Sequence, residues 1–183
     1  APSGSMLSYN TYRSNETEGA IDLHIVSLAG DTATEQAYAG VAGGSWSPDG
    51  VHLGIVREAK PIQMGDGYQG IPAVLDVTTG GQLVLGSEPF AQQKPPAFNF
   101  DGSLLMVNYS KYEPETSTVA ILIYDTDGAE VHRIDFDAGT WYASPRWSPT
   151  ENRIAMHRQD ESGARYTVYN VDEARFVAES ETP

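Results

Sequence analysis

Residues Gly43–Val56 read GGSWSPDGVHLGIV: small residues, a tryptophan, a Ser-Pro-Asp-Gly turn and then an alternating apolar run. Proline presets φ at the second turn position and glycine supplies the permissive backbone at the last, so Ser47–Gly50 reads as a tight turn between two strands. The same order returns at Pro96–Tyr109 (PAFNFDGSLLMVNY) and at Ser144–Arg158 (SPRWSPTENRIAMHR). Aligning the three places Trp46, Phe98 and Trp147 in one column, 52 and 49 residues apart. A second column agrees: apolar β-branched runs end in turns at Gly30, Gly80 and Gly128, 50 and 48 residues apart. A fourth copy, RYTVYNVDEAR, begins at Arg165. Self-similarity at a period near 50 marks an array of equivalent supersecondary units.

Each unit reads as four short antiparallel strands. The turn opens an alternating run (His52–Arg57, Leu104–Tyr109, Ile154–Arg158), a polar loop leads to the second column, and a tight turn opens a last strand such as Gln82–Leu85 or Glu130–Phe136. No window carries helical periodicity with caps. Four strands per repeat of this length predict propeller blades. The expected blades span about 6–38, 39–86, 87–137 and 138–180, with residues 1–5 set apart as an arm or scar. The first blade begins at a second-strand sequence, Leu7–Tyr12, and the last ends at Phe176–Ala178, so a closed ring lacks a strand. The expectation is therefore an all-β propeller of about four four-stranded blades, the first incomplete, belonging to a larger ring or to one completed by a homodimer or second chain. Thr150 and Glu151 replace Asp-Gly in the third copy, so its turn should differ.

WSPDG followed by an alternating strand, and strands ending in DVTTG (Asp76–Gly80) and YDTDG (Tyr124–Gly128), resemble the blades of TolB-like or WD-repeat-like bacterial propellers. The resemblance covers the chain from about Met6 and implies a binding protein or the accessory propeller of a prolyl-oligopeptidase-type serine peptidase, whose serine sits in a separate hydrolase domain. Fold alone does not choose between them. An exported, periplasmic or cell-envelope location accompanies the first reading.

Composition narrows the chemistry. The net charge is −14, with 25 acidic residues against 11 basic ones, only three of them lysines (Lys60, Lys94, Lys111). That balance excludes nucleic acid as a partner, because phosphate binding needs clustered bases. No run approaches the ~20 apolar residues of a membrane span. The absence of cysteine removes disulfides, thiolate metal sites and a cysteine nucleophile.

Candidate functional residues lie in the long connections between second and third strands and between blades, all on one face of a propeller. Long loops on a rigid scaffold are where binding concentrates. Arg13, Arg57, Lys111 and Arg158 recur near the ends of second strands, either as a ring of cations able to hold carboxylates or as bases locally paired with Glu16, Glu58, Glu113 and Asp160. Phe90, Tyr112, Trp141 and Tyr142 fall in the same loops, as partner contacts or as caps on the core. Trp46, Phe98 and Trp147 read as packing residues between blades. Asp125–Gly128 is a turn and not an EF-hand loop, since Ala129 and Glu130 stand at the following positions. The histidines at 24, 52, 132 and 157 lack metal-ligand spacing. There is no Gly-x-Ser-x-Gly elbow or phosphate loop, and the sequons at Asn15 and Asn108 read as chance. No catalytic residue, metal or cofactor is expected. The leading expectation is a non-enzymatic module that binds a protein or peptide through its long-loop face; the alternatives are a peptidase's gating propeller and a purely structural segment.

Overall fold

A computed structural model describes residues 1–13, 20–29, 31–61, 68–86, 90–92, 94–112, 117–136, 141–161 and 163–181. The first blade contains β1 (Met6–Arg13), β2 (Ala20–Ala29) and β3 (Thr32–Ala39). The second contains β4 (Val41–Trp46), β5 (His52–Pro61), β6 (Tyr68–Asp76) and β7 (Gln82–Val84). A short strand, β8 (Phe90–Gln92), precedes the third blade, β9 (Ala97–Phe98), β10 (Leu104–Tyr112), β11 (Ser117–Asp125) and β12 (Glu130–Asp135). The fourth has β13 (Trp141–Trp147), β14 (Arg153–Asp160), β15 (Gly163–Asn170) and β16 (Arg175–Glu181). Every pairing is antiparallel, and the described residues contain no helix. β8 pairs with both β6 and β10, so the second and third blades share one continuous sheet. Among the described residues no strand of the first blade pairs with one of the fourth. The molecule is an open arc of propeller blades.

Strand alternation fills the seams between the four blades with buried apolar clusters. Leu53 and Ile55 of β5 point back to Leu23 and Ile25 of the first blade. Leu105 and Val107 of β10 point back to Val74 and Leu85 of the second, while Met106 between them points forward to Ile154 and Met156 of the fourth. A strand buried on both faces must be apolar at successive positions, and Leu104–Val107 is. The column aromatics seal these seams. Trp46 packs in the first seam and donates its indole N–H to Ser8 Oγ at 3.1 Å; Phe98 packs in the second; Trp147 packs in the third and donates to the Ala97 carbonyl at 2.9 Å.

The turns hold what the sequence assigned to them. In Ser47–Gly50 the Gly50 N–H reaches the Ser47 carbonyl at 3.0 Å with φ at 74°, and Asp49 accepts from the Ser47 hydroxyl and the Val51 N–H. Asn99–Gly102 repeats the bond at 3.3 Å with Gly102 at φ 81°. The Thr150–Glu151 turn differs as expected, closing instead through Arg153 N–H to the Glu151 carbonyl at 2.8 Å. Residues 1–5, set apart as an arm, contain one more copy: Gly4 N–H bonds the Ala1 carbonyl at 3.0 Å, with Gly4 at φ 72°. Ala1-Pro2-Ser3-Gly4 is thus the Ser-Pro-Asp-Gly turn of the first blade, disguised by two substitutions.

The strands run further than their alternation indicated. β5 continues through an irregularity at Arg57–Lys60, where Glu58 adopts φ 51°, and ends only at Pro61. Trp141 and Tyr142 open β13, Phe90 opens β8, and Lys111 and Tyr112 end β10. These residues belong to strands and not to loops, because backbone pairing persists past the point where side-chain alternation becomes polar.

Candidate functional site

Three features could carry function: the bases at the loop face, a groove along the inner strands, and a cavity at the face of short turns.

The four loop-face bases do not stand at one level. Arg57 and Arg158 lie four residues beyond Leu53 and Ile154, the positions paired with Trp46 and Trp147, whereas Lys111 lies six beyond Leu105, paired with Phe98. Arg13 lies six beyond Leu7, the corresponding position of β1. Arg13 holds Asp22 at 2.8 Å across β1 and β2. Arg158 holds Asp160 at 3.0 Å and Glu179 at 3.2 Å; Arg165 spans the same two acids at 2.9 and 3.3 Å, giving two cations and two anions in mutual contact. The Arg158 guanidinium also lies 5.9 Å from the centre of the Tyr142 ring. Arg57 makes no ion pair among the described residues. The side chains of Phe90, Lys111, Tyr112 and Trp141, with Glu16 and Glu113, lie outside the described residues. Tyr142 stacks on Phe136 with ring centres 3.6 Å apart and caps the seam between the third and fourth blades.

The groove, about 310 Å³, runs along the inner strands, with Gly44 and Ser45 of β4, Ala97 of β9 and Arg146 of β13 in its walls and Lys94 and Asn108 beside them. Small residues on the inner strands leave the space open. Lys94 and Arg146 enter it without a carboxylate partner among the described residues; Arg146 donates only to the Pro145 carbonyl, at 3.1 Å. Sequence reasoning passed over both. Their signal was available: each is a base at or just before the first strand of a blade, the strand nearest the propeller axis.

The cavity lies at the opposite end of the second seam and is larger, about 480 Å³. Val74, Leu83, Phe98 and Leu105 form its apolar walls, and Asp49, Asp76 and Asp101 belong to the turns around it. All three carboxyls are held below the usual carboxylate range: Asp49 by the Ser47 hydroxyl, Asp101 by the Ser103 hydroxyl, and Asp76 most strongly by the Thr78 hydroxyl and N–H and by Thr79. The groove therefore presents cations and the cavity at the short turns presents ionised carboxylates. Asp125 serves its turn by accepting from the N–H groups of Asp127 and Ala129 at 3.0 and 2.9 Å. Among the described residues no group of three or more His, Asp or Glu side chains could hold a metal ion.

No protein family matches the chain, and no curated protein does. Solved structures do match, with 51 chains similar in fold. An acylaminoacyl peptidase in complex with Z-Gly-Gly-Phe-chloromethyl ketone matches with a TM-score of 0.70 and 10% identity, over 97% of this chain and 31% of that one. Acylaminoacyl peptidase of Pyrococcus horikoshii gives 0.68 and 13%, over 96% and 31%. The β-propeller domain of the Trilobed protease of Pyrococcus furiosus, described as having an open velcro topology, gives 0.66 and 13%, over 98% and 54%. The chain thus spans about a third of the length of the peptidases and about half of the propeller domain. At these identities the likeness establishes the propeller fold.

Proposed function

We propose that this chain is a non-enzymatic propeller segment, of the TolB-like kind, that binds polypeptide carboxylates at the loop-face end of its axis. The observation that carries this reading is the groove in which Lys94 and Arg146 stand without carboxylate partners among the described residues. Two cations beside small residues suit a carboxylate that approaches along the inner strands, and an Arg fork can engage it with two parallel hydrogen bonds. Of the loop-face bases, Arg13 and Arg158 already hold acids of their own, which moves the weight of the proposal from them to the inner strands. Binding should be weak and salt-sensitive, since bulk repulsion from a net charge of −14 fades beyond a Debye length of about 8 Å at physiological salt. The test is fluorescence anisotropy with a labelled Glu-rich decapeptide at low and physiological salt. Binding that weakens in Lys94→Ala and Arg146→Ala, with the peptide recovered intact by mass spectrometry, supports the proposal. No binding at low salt, or cleavage of the peptide, refutes it.

A second reading, an accessory propeller of a prolyl-oligopeptidase-type serine peptidase, is favoured by the likeness of the blades to those of acylaminoacyl peptidases over nearly the whole chain. On that reading the groove would meet peptide on its way to a hydrolase domain, and the same two bases would act on the carboxyl end of a substrate.

A further inference from the structure

The cavity at the short turns of the second seam combines open space with uncompensated charge. It encloses about 480 Å³, within the range of small-molecule sites, between the apolar side chains of Val74, Leu83, Phe98 and Leu105. The space has identifiable causes. The aromatic column carries Phe98 here, where the first and third seams carry the larger Trp46 and Trp147. Gly81 and Gly102, also in the walls, have no side chain to close it. Asp49, Asp76 and Asp101 stand around the space, and no lysine or arginine lines it among the described residues. Within their turns Asp76 and Asp101 accept through Oδ1, Asp101 from the Ser103 hydroxyl at 2.6 Å and N–H at 2.9 Å. Neither has an ion-pair partner among the described residues. Asp49 has only the His52 imidazole, 3.9 Å away.

We infer that this cavity binds a small organic cation, a primary ammonium on an aromatic or aliphatic body, with the body against Phe98 and Leu83 and the ammonium among the carboxylates of Asp49, Asp76 and Asp101. The carboxylates are too dispersed to be a metal's ligand set: among the described residues no group of three acids or histidines could hold an ion. They act instead as a field over the cavity, which suits an ammonium, a compact charge with three donors. Apolar walls lower the local dielectric and strengthen that attraction. The net charge of −14 adds to it, drawing cations and repelling anions. A neutral ligand of the same shape would gain only the burial of its apolar body. This site is separate from the groove of Lys94 and Arg146 and does not depend on the function proposed there.

The probe is tryptamine, titrated calorimetrically into the full chain beside its uncharged and anionic counterparts, tryptophol and indolepropionate. Tryptamine should bind saturably, tryptophol about tenfold more weakly and indolepropionate not at all, and added salt should weaken tryptamine alone. Asp101→Asn keeps an oxygen that can accept from Ser103, so its turn should hold. That variant should weaken tryptamine about threefold and leave tryptophol unchanged, a split that a fault in folding would not produce. Leu83 is partly exposed on β7, so Leu83→Arg should keep its circular dichroism while setting a guanidinium beside the carboxylates. It should weaken tryptamine by about tenfold or more. The inference is overturned by absence of saturable binding, by equal affinity for tryptamine and tryptophol, or by unchanged tryptamine affinity in Asp101→Asn or in a folded Leu83→Arg.

Discussion

Gly54 shows how closely the blades approach one another at single positions. A Cβ built on it would lie 2.1 Å from the Pro96 carbonyl oxygen, and backbone at that distance cannot rotate away. Gly54→Ala must push the second and third blades apart or bend β5, and overpacking of that kind costs about 1–3 kcal/mol. A lower urea midpoint with unchanged slope should report it. Asp76 acts in the other direction, by organising its turn. Its Oδ1 accepts from the Thr78 hydroxyl and N–H and from the Thr79 N–H at 2.7, 2.8 and 3.1 Å, which holds the carboxyl below the ordinary range. A carboxyl with a depressed folded pKa stabilises the fold above its unfolded pKa of about 4 and loses that contribution as pH falls towards the folded value. Asp76→Asn should therefore lower the urea midpoint at pH 7 and do so less at pH 3. Equal gaps at both pH values would remove the carboxylate from the explanation.

At the scale of elements, the first seam is tied by a side chain that imitates a strand. Asn10 donates to the Gly43 carbonyl at 2.9 Å and accepts from the Gly43 N–H at 3.0 Å, so one amide satisfies both backbone groups at the irregularity of β4. Asn10→Ala leaves a half-buried donor and acceptor without partners, a loss of about 1–3 kcal/mol. The effect should be local, with faster amide exchange in β1–β3 and β4 and little change in β14–β16. The blades were legible because their determinants are local and repeated: the turn chemistry of Ser47–Gly50 and the aromatic column each recur with the same physical role. Asn10 was not legible, since a polar residue on a strand gives no sign of which backbone it will meet across a seam. Nor was the turn at Ala1–Gly4, where alanine and serine stand for Ser47 and Asp49 and only proline and glycine remain to mark it. Lys94 and Arg146 were missed for a related reason: loop length points to the rim, whereas these two bases sit at or just before the first strands β9 and β13.

Taken together, the four blades form a short one-dimensional array in which each is stabilised by its neighbours, and among the described residues the first and the fourth each pack against one. Leu7, Tyr9 and Leu28 on the first blade and Tyr166 on the fourth stay 40–56% exposed, so both ends bury less apolar surface than the middle. Native-state hydrogen exchange should rank the blades accordingly, with β5, β6, β10 and β11 slowest; uniform protection from end to end would argue for a single cooperative unit instead. The strand β8 adds a consequence of another kind. Because it pairs with β6 on one side and β10 on the other, the middle of the arc is joined by hydrogen bonds as well as by packing, whereas neither outer joint has such a strand among the described residues. Stretched by its two ends, the chain should behave as a stiff centre between two compliant hinges. Force would peel away the outer blades first and encounter its greatest resistance when β8 is sheared from its neighbours.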